Sequence, residues 1–241
     1  MIIAIDGTSG SGKSTIAKQL AKQLNFGFFS AGELYRAITV RVLDLGIKEN
    51  EDDKLKYLVE NIKVSYVYNG TKNVITVDNI DVTDKLHTEE ISNFVSKISH
   101  KPFIREVVRK LQRQTAEENE NIVMEGRDIG SVIFPDADIK VFVDCKIEIR
   151  AQRRLVDYQK LGEDVTLEKV IEDLKLRDYR DINREISPLV MCKDSFLLDT
   201  SLNTIPASLN LIYKEMIRRN LVTKEFLKER GIDLVSIHEK F

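Results

Sequence analysis

Residues Gly7 to Ser14, GTSGSGKS, set two glycines five positions apart and follow the second with a lysine and a hydroxyl side chain. The order G-x-x-x-x-G-K-[ST] suits the cradling of an anion. Glycines let the backbone turn its N–H groups inward, and a helix starting directly afterwards would add the positive end of its dipole. In such a loop Gly7, Thr8, Ser9, Gly10, Ser11, Gly12, Lys13, Ser14 and Thr15 would surround nucleotide phosphates. Lys13 would reach the outer phosphates, and the Ser14 hydroxyl would ligate Mg2+. The bland alternative is a flexible Gly/Ser surface loop. The flanks oppose it, because Met1–Ile5 is a short β-branched run, while Ile16, Leu20 and Leu24 recur at helical spacing with Ala17 and Ala21.

A dinucleotide loop needs its glycines in the order G-x-G-x-x-G, which is absent. No base-reading Asn-Lys-x-Asp follows a late strand, as a GTPase would need, and motor or transporter ATPases are normally longer. A small-molecule kinase holding a second, anionic substrate opposite ATP is left. Phosphoryl transfer demands positioning and neutralised charge, and arginines recur where such a substrate would lie. Arg36 follows the second strand, and Arg127-Asp128 the third, at the strand ends where open α/β sheets bind ligands. Arg177, Arg180 and Arg184 fall at i, i+3 and i+7, with Asp178 and Asp181 on an adjacent stripe. That stripe reads equally as a solvated face with pairs such as Arg177–Asp181. Arg105 and Arg109 read equally as the wet side of an amphipathic helix. Arg127-Asp128 is harder to assign to solvent, since a charged pair directly after IVMEG would be costly if buried alone.

The elements that must position these groups alternate. Phe26–Ser30, Ile122–Glu125, Ile139–Asp144 and Ser195–Asp199 read as further strands, and residues 32–45, 147–160, 166–186 and 205–219 as helices. Ile104, Val107, Val108 and Leu111 share one helical face. Such alternation predicts an α/β, doubly wound parallel sheet. From Ile47 to Ser99 the pattern changes to a small α+β block, with a hairpin expected from Lys63–Tyr68 and Asn73–Asp78 about an Asn69-Gly70 turn, then a helix over His87–Ser99.

Lys plus Arg is 37 against 39 Asp plus Glu, a net charge of -2, which opposes wholesale polyanion binding. Apolar residues make up 42%, enough for a core. No apolar run approaches the roughly 18 residues of a membrane span, and the amino terminus lacks the features of a secretory signal. Cys145 and Cys192 form no C-x-x-C pair.

Taken together, GTSGSGKST, SAGELYR (30–36), GRDIGSVIFPDADIKVFVD (126–144), RAQRR (150–154) and LRDYRDINREISPL (176–189) resemble bacterial-type cytidylate kinases, a family of P-loop nucleoside monophosphate kinases, from residue 2 to about 219. The resemblance implies a P-loop three-layer sandwich with a five-stranded parallel sheet. It implies a core of residues 1–46 and 100–219, a helical lid at about 150–186, and a nucleoside-monophosphate-binding α+β insert at 47–99. Residues 220–241 form an extension of no assigned role. The implied reaction is ATP-dependent phosphorylation of CMP and dCMP, in pyrimidine nucleotide metabolism in the cytoplasm, by a monomer with Mg2+ and with no nucleic-acid or membrane partner. Arg36 and Arg127 would hold the CMP phosphate. Ser96, Arg105 and Arg184 match positions that read cytosine, and Asp128, Arg177 and Asp181 match positions near the sugar. Arg153 would lie near ATP, and Lys13, Arg127, Arg177 and Arg180 would act on the transferring phosphoryl. No side-chain general base is implied. Ala31 stands where the family usually has Ser or Thr, removing one hydroxyl contact to the nucleotide. Glu125 stands where Asp is usual, bringing the carboxylate behind Mg2+ on a longer arm. The rivals are another acceptor, such as UMP, AMP or a small alcohol, and a P-loop switch that only hydrolyses ATP.

Overall fold

A computed structural model of the chain describes residues 1–68, 73–86, 88–160, 162 and 164–234. The chain opens as strand β1 (Ile2–Gly7), helix α1 (Lys13–Leu24), strand β2 (Gly27–Ser30) and helix α2 (Ala31–Asp44). Helix α3 (Asp52–Asn61), strands β3 (Val64–Tyr68), β4 (Asn73–Val77) and β5 (Ile80–Asp81), and helix α4 (Glu89–Ile98) follow. Helix α5 (Pro102–Glu117) then leads to β6 (Ile122–Gly126) and β7 (Ile139–Asp144). Helices α6 (Ile147–Lys160) and α7 (Leu167–Asn183), strand β8 (Phe196–Asp199), and helices α8 (Ile205–Arg218) and α9 (Lys224–Lys228) complete it.

Five strands form one parallel sheet in the order β2-β6-β1-β7-β8. Alternation along β1 builds the three layers. Ile3 and Ile5 face a cluster made with Ile16, Leu20 and Leu24 of α1 and Leu209, Ile212 and Met216 of α8. Ala4 faces the opposite cluster, with Leu34 and Ile38 of α2 and Ile104 and Val108 of α5. Central β1 therefore delivers the Gly7–Ser14 loop to the middle of the carboxyl edge, where the strand order reverses. Gly7 must be glycine there. A Cβ at that position would lie 2.0 Å from the Val143 carbonyl oxygen, on the neighbouring strand.

The expected hairpin is present as β3 and β4 in antiparallel register, Val64 opposite Val77 and Tyr68 opposite Asn73; its Asn69-Gly70 turn lies outside the described residues, as does His87 at the start of the expected helix. The block from 47 to 99 packs onto both neighbours. Ile75, Val77, Val82 and Leu86 cover Ala37 and Val40 of α2, while Leu55, Val59 and Ile98 join the core cluster beneath the sheet.

Four features differ from the sequence expectation. Helix α3 arises in a stretch whose only buried positions are Leu55 and Val59, one turn apart, too sparse a pattern to reveal it. A π-helical turn, Ile129–Ile133, follows β6, because the buried Asp6 carboxylate accepts the N–H groups of Ile129 and Gly130 at 2.9 and 2.7 Å. Helix α7 ends at Asn183, earlier than residue 186, since Arg184 is extended and Ser187 takes φ 53° before Pro188. Arg184 thus lies beyond the helical stripe expected for it. The stretch after residue 219 also contributes to the core, where Val222 and Leu227 are buried in the α1–α8 cluster.

Candidate active site

The phosphate loop is shaped by bonds made on its outside. Gly10 and Gly12 take φ 74° and 89°, and Gly12 caps α1. Thr8 Oγ1 donates to Asp144 Oδ1 at 3.1 Å, Ser11 Oγ to the Thr8 carbonyl at 3.0 Å, and Thr200 Oγ1 to the Ser11 carbonyl at 2.7 Å. The Ser9 N–H is taken by Asp178 and the Ser11 N–H by the Thr8 carbonyl; with these carbonyls engaged, the remaining N–H groups of the loop are left to face an anion. Lys13 is buried, its Nζ donating to the Thr8 carbonyl at 3.3 Å. Burial, reinforced by the charge of Arg127, pushes its ammonium down to about 7.

Ser14 Oγ, at the start of α1, donates to Glu125 Oε1 at 3.0 Å, and Ser30 Oγ donates to the same oxygen. Ser30 is itself placed by Tyr66 of the insert, whose hydroxyl accepts the Ser30 N–H at 2.7 Å and donates to Glu33 at 2.9 Å. Burial raises the Glu33 carboxyl above its ordinary range. Two hydroxyls thus converge on one oxygen of Glu125.

Four arginines gather near Lys13, three from helices and one, Arg127, from the loop after β6. Arg36 of α2 is anchored by the Ser92 hydroxyl at 2.8 Å and the Leu86 carbonyl at 3.2 Å. Arg127 donates through Nε to Asp181 at 2.8 Å and through Nη1 to the Gly126 carbonyl at 3.1 Å. Arg177 of α7 makes no hydrogen bond or ion pair among the described residues. Arg154 of α6 stacks its guanidinium over the Tyr158 ring at 4.8 Å. Burial, then Arg177, Arg154 and Arg127, pushes Arg36 down to about 10; burial and Arg127 lower Arg177. Arg127 is held charged by Asp181, but Arg36 and Arg177, depressed by burial and by their cationic neighbours, lack counter-charge, and a phosphate group would supply it.

Beyond them the charges alternate. Arg105 Nη2 donates to Asp128 Oδ2 at 2.5 Å, Arg184 lies 3.7 Å from the other Asp128 oxygen and 3.8 Å from Asp181, and Asp181 closes the chain on Arg127. Arg105 is 5% exposed, so the solvated-face reading fails for it. The Asp181 carboxyl is held low by Arg127, Arg177 and Arg184 against the cost of its burial. The Nε of Arg105 and Nη2 of Arg184 are buried without a hydrogen-bond partner among the described residues, and a polar ligand edge would satisfy them.

Other expected positions stand apart from this convergence. Ser96 turns its hydroxyl onto the Asn93 carbonyl at 2.8 Å. Arg180 is exposed, with no hydrogen bond or ion pair among the described residues. Arg153 packs by the loop, donating to the Thr200 carbonyl at 2.8 Å. Sequence reasoning does not single out Ser30, Tyr66, Ser92, Asp144, Arg150, Arg154 or Asp178 as site residues. Their partners lie 36 to 169 residues away for the contacts of Tyr66, Ser92, Arg150 and Asp178, beyond any helical or strand repeat; Arg154 alone has a local signal, its place beside Arg153.

A family model for cytidylate kinase matches residues 3–218. The cytidylate kinase of Desulfitobacterium hafniense (strain Y51) is 39% identical over 199 residues, 83% of this chain and 85% of that protein. That of Desulforamulus reducens is 40% identical over 210 residues, covering 87% and 94%. Among solved structures, an uncharacterized protein from Eubacterium ventriosum ATCC 27560 superposes with a TM-score of 0.51 at 16% identity, over 90% of this chain and 98% of that one, a likeness of fold.

Proposed function

The chain belongs to the cytidylate kinase family, and from that premise we propose that it transfers the γ-phosphoryl group of ATP to CMP and dCMP, forming ADP with CDP or dCDP. The observation that carries the acceptor half is the set of cations gathered about Lys13: Arg36 and Arg177, each pushed below its ordinary value by burial and neighbouring arginines, and Arg127, which Asp181 holds charged. In the reaction an oxygen of the acceptor phosphate bonds to the γ-phosphorus as the bond to the β,γ-bridging oxygen breaks, leaving ADP. Both partners are anionic, so like charges must first be held together. The loop from Gly7 to Thr15 holds the donor phosphates. Arg36 and Arg127 grip the acceptor phosphate, and bringing it to bonding distance replaces a two-body encounter with a fixed approach. Lys13, Arg154 and Arg177 face the charge that spreads over the transferring group. Arg180 enters only through movement of α7.

Ser14, backed by Glu125, fits a hard cation: the donors are oxygens, and Mg2+ is usually held by one or two protein oxygens, phosphates and water. When bound there, Mg2+ neutralises phosphate charge. Ser14 would hold it directly and Glu125 through water. Arg105, Asp128 and Arg184 offer donors and an acceptor to a cytosine edge, whose exocyclic amine donates; Ser96 joins them by family resemblance, and Asp181 belongs near the sugar. We assign residues 47–99 as the monophosphate-binding insert, about 150–186 as the lid and 220–241 as an extension, of which Val222 and Leu227 pack into the core. The protein is proposed to act as a cytoplasmic monomer. No helix among the described residues is long and apolar enough to cross a membrane.

The test is ADP release from Mg-ATP with CMP, dCMP, UMP, AMP or GMP as acceptor. Selective stimulation by CMP and dCMP is expected. Preference for UMP or AMP would reassign the base end, and hydrolysis unaffected by all five would leave an ATPase.

A further inference from the structure

One polar cluster lies behind the phosphate loop, outside the ring of groups that face the substrates. The Ser9 N–H donates to Asp178 Oδ1 at 2.9 Å. Arg150 Nη1 donates to the Ser9 carbonyl at 2.8 Å and to Asp178 Oδ2 at 2.6 Å, while its Nε donates to the Cys145 carbonyl at 2.8 Å. Both the N–H and the carbonyl of Ser9 are therefore taken by one ion pair, whose members come from α6 and α7. The side chains of Arg150 and Asp178 are 7% and 12% exposed. Removing two charges from water is costly unless their remaining donors and acceptors are satisfied, and here the Ser9 backbone and the Cys145 carbonyl satisfy them. Apolar packing reinforces the contact: a Cβ on Gly10 would sit 3.6 Å from Arg150 Cβ and 3.7 Å from Leu174 Cδ2, and Leu174 packs with Ala151 and Val170 between the two helices.

The neighbours of this pair face the substrates. Arg177 precedes Asp178, and Asp181 lies one turn on, bonded to Arg127. A displacement of Ser9 thus moves the helix that carries Arg177 and Asp181, with Asp178 as the point of contact.

We propose that Arg150 and Asp178 form a positioning clamp that couples the phosphate loop to α7, so that filling the loop with nucleotide phosphates sets the helix bearing Arg177 and Asp181 in register for transfer. The clamp rests on the reading of the loop as a nucleotide site. It touches neither substrate, and it places the pivot of the lid at Asp178, leaving the part of α6–α7 remote from the loop to move.

Hydrogen exchange of the full chain with and without Mg-ADP tests this. In the wild type, Mg-ADP should slow exchange in the loop and first turn of α1 and also in α7. In Asp178→Asn an amide nitrogen opposes Arg150. Protection of the loop should persist, while protection of α7 falls at least about tenfold. Kinetically, kcat should fall by up to about a hundredfold, as misplacement of a transfer group allows, with the KM for ATP within about threefold; a merely weakened fold would instead speed exchange throughout the chain rather than in α7 alone. Arg150→Lys keeps the charge opposite Asp178 but cannot span Ser9 and Cys145, and it should give the same pattern in milder form even if Asp178→Asn does not fold. Wild-type protection of α7 in both variants, or α7 indifferent to Mg-ADP in the wild type while the loop is protected, would overturn the clamp alone. Absence of loop protection by Mg-ADP would overturn the nucleotide site and the clamp with it.

Discussion

A lysine held near neutrality in an anion cradle has a consequence that can be weighed. Lys13 titrates at about 7, against an ordinary 10.5, because it is buried and faces Arg127 and Arg177. At pH 8 about nine-tenths of the free protein then carries a neutral Lys13, and at pH 6 about one-tenth. Nucleotide phosphates would supply the missing counter-charge and restore the ammonium. Binding of Mg-ADP at pH 8 should therefore draw about 0.9 proton from solution, falling to about 0.1 at pH 6. The sign follows: the proton is bound more tightly in the complex, so affinity weakens as pH rises through 7, by about tenfold between pH 6 and 8, or roughly 1.4 kcal/mol. Titration calorimetry in two buffers of different ionisation heat gives the uptake directly. A terminal phosphate with its second pKa about 6 is already ionised at pH 8, so uptake there belongs to the protein. Lys13→Arg, charged at every pH used, should bind with almost no uptake. Uptake below about 0.2 proton at pH 8 in the wild type, or equal uptake in Lys13→Arg, would rule out Lys13 as the titrating group.

Three further outcomes are expected. Arg127→Lys replaces a fork that already spans Asp181 and the Gly126 carbonyl with a point charge, so the KM for CMP should rise about 10- to 100-fold with that for ATP nearly unchanged, in steady-state kinetics. Arg105→Met leaves Asp128 buried opposite Arg184 alone and should cost roughly 2–4 kcal/mol by chemical denaturation; adding Asp128→Asn should recover most of that stability while CMP selectivity stays lost. Gly7→Ala would drive a Cβ into the Val143 carbonyl and should destabilise by more than about 4 kcal/mol, leaving no soluble native protein in expression trials.

How much of this is legible in the chain depends on distance along it. The phosphate loop can be read because its eight residues are contiguous and their roles follow from their own backbone and side chains: glycine for positive φ, lysine for reach, serine for oxygen. The strands β1, β6 and β7 can be read because central parallel strands are apolar on both faces, and α1 because Ile16, Leu20 and Leu24 recur at its period. The resemblance to the family rests on blocks of the same kind, each short and local. Helix α3 and the turn after β6 escape, the first for want of apolar positions and the second because a carboxylate from β1 induces it.

Charge is where local reading runs out. In the sequence Arg105, Arg177 and Arg184 are equally solvated faces or ligand groups, since a side chain's neighbours at i+3 and i+4 say nothing of what meets it from another segment. Tertiary structure separates them: Arg105 closes on Asp128 from 23 residues away, Arg184 leaves the helix to stand between two carboxylates, and Arg177 faces other cations. Asp178, one residue from Arg177 on the same helix, turns to the back of the loop and meets Ser9 across 169 residues. Eight contiguous residues are enough to say that a phosphate is held, and by which groups. Which charges confront it, and which instead hold the loop in shape, is settled where distant segments meet, because an ionic group takes its role from the charge packed against it.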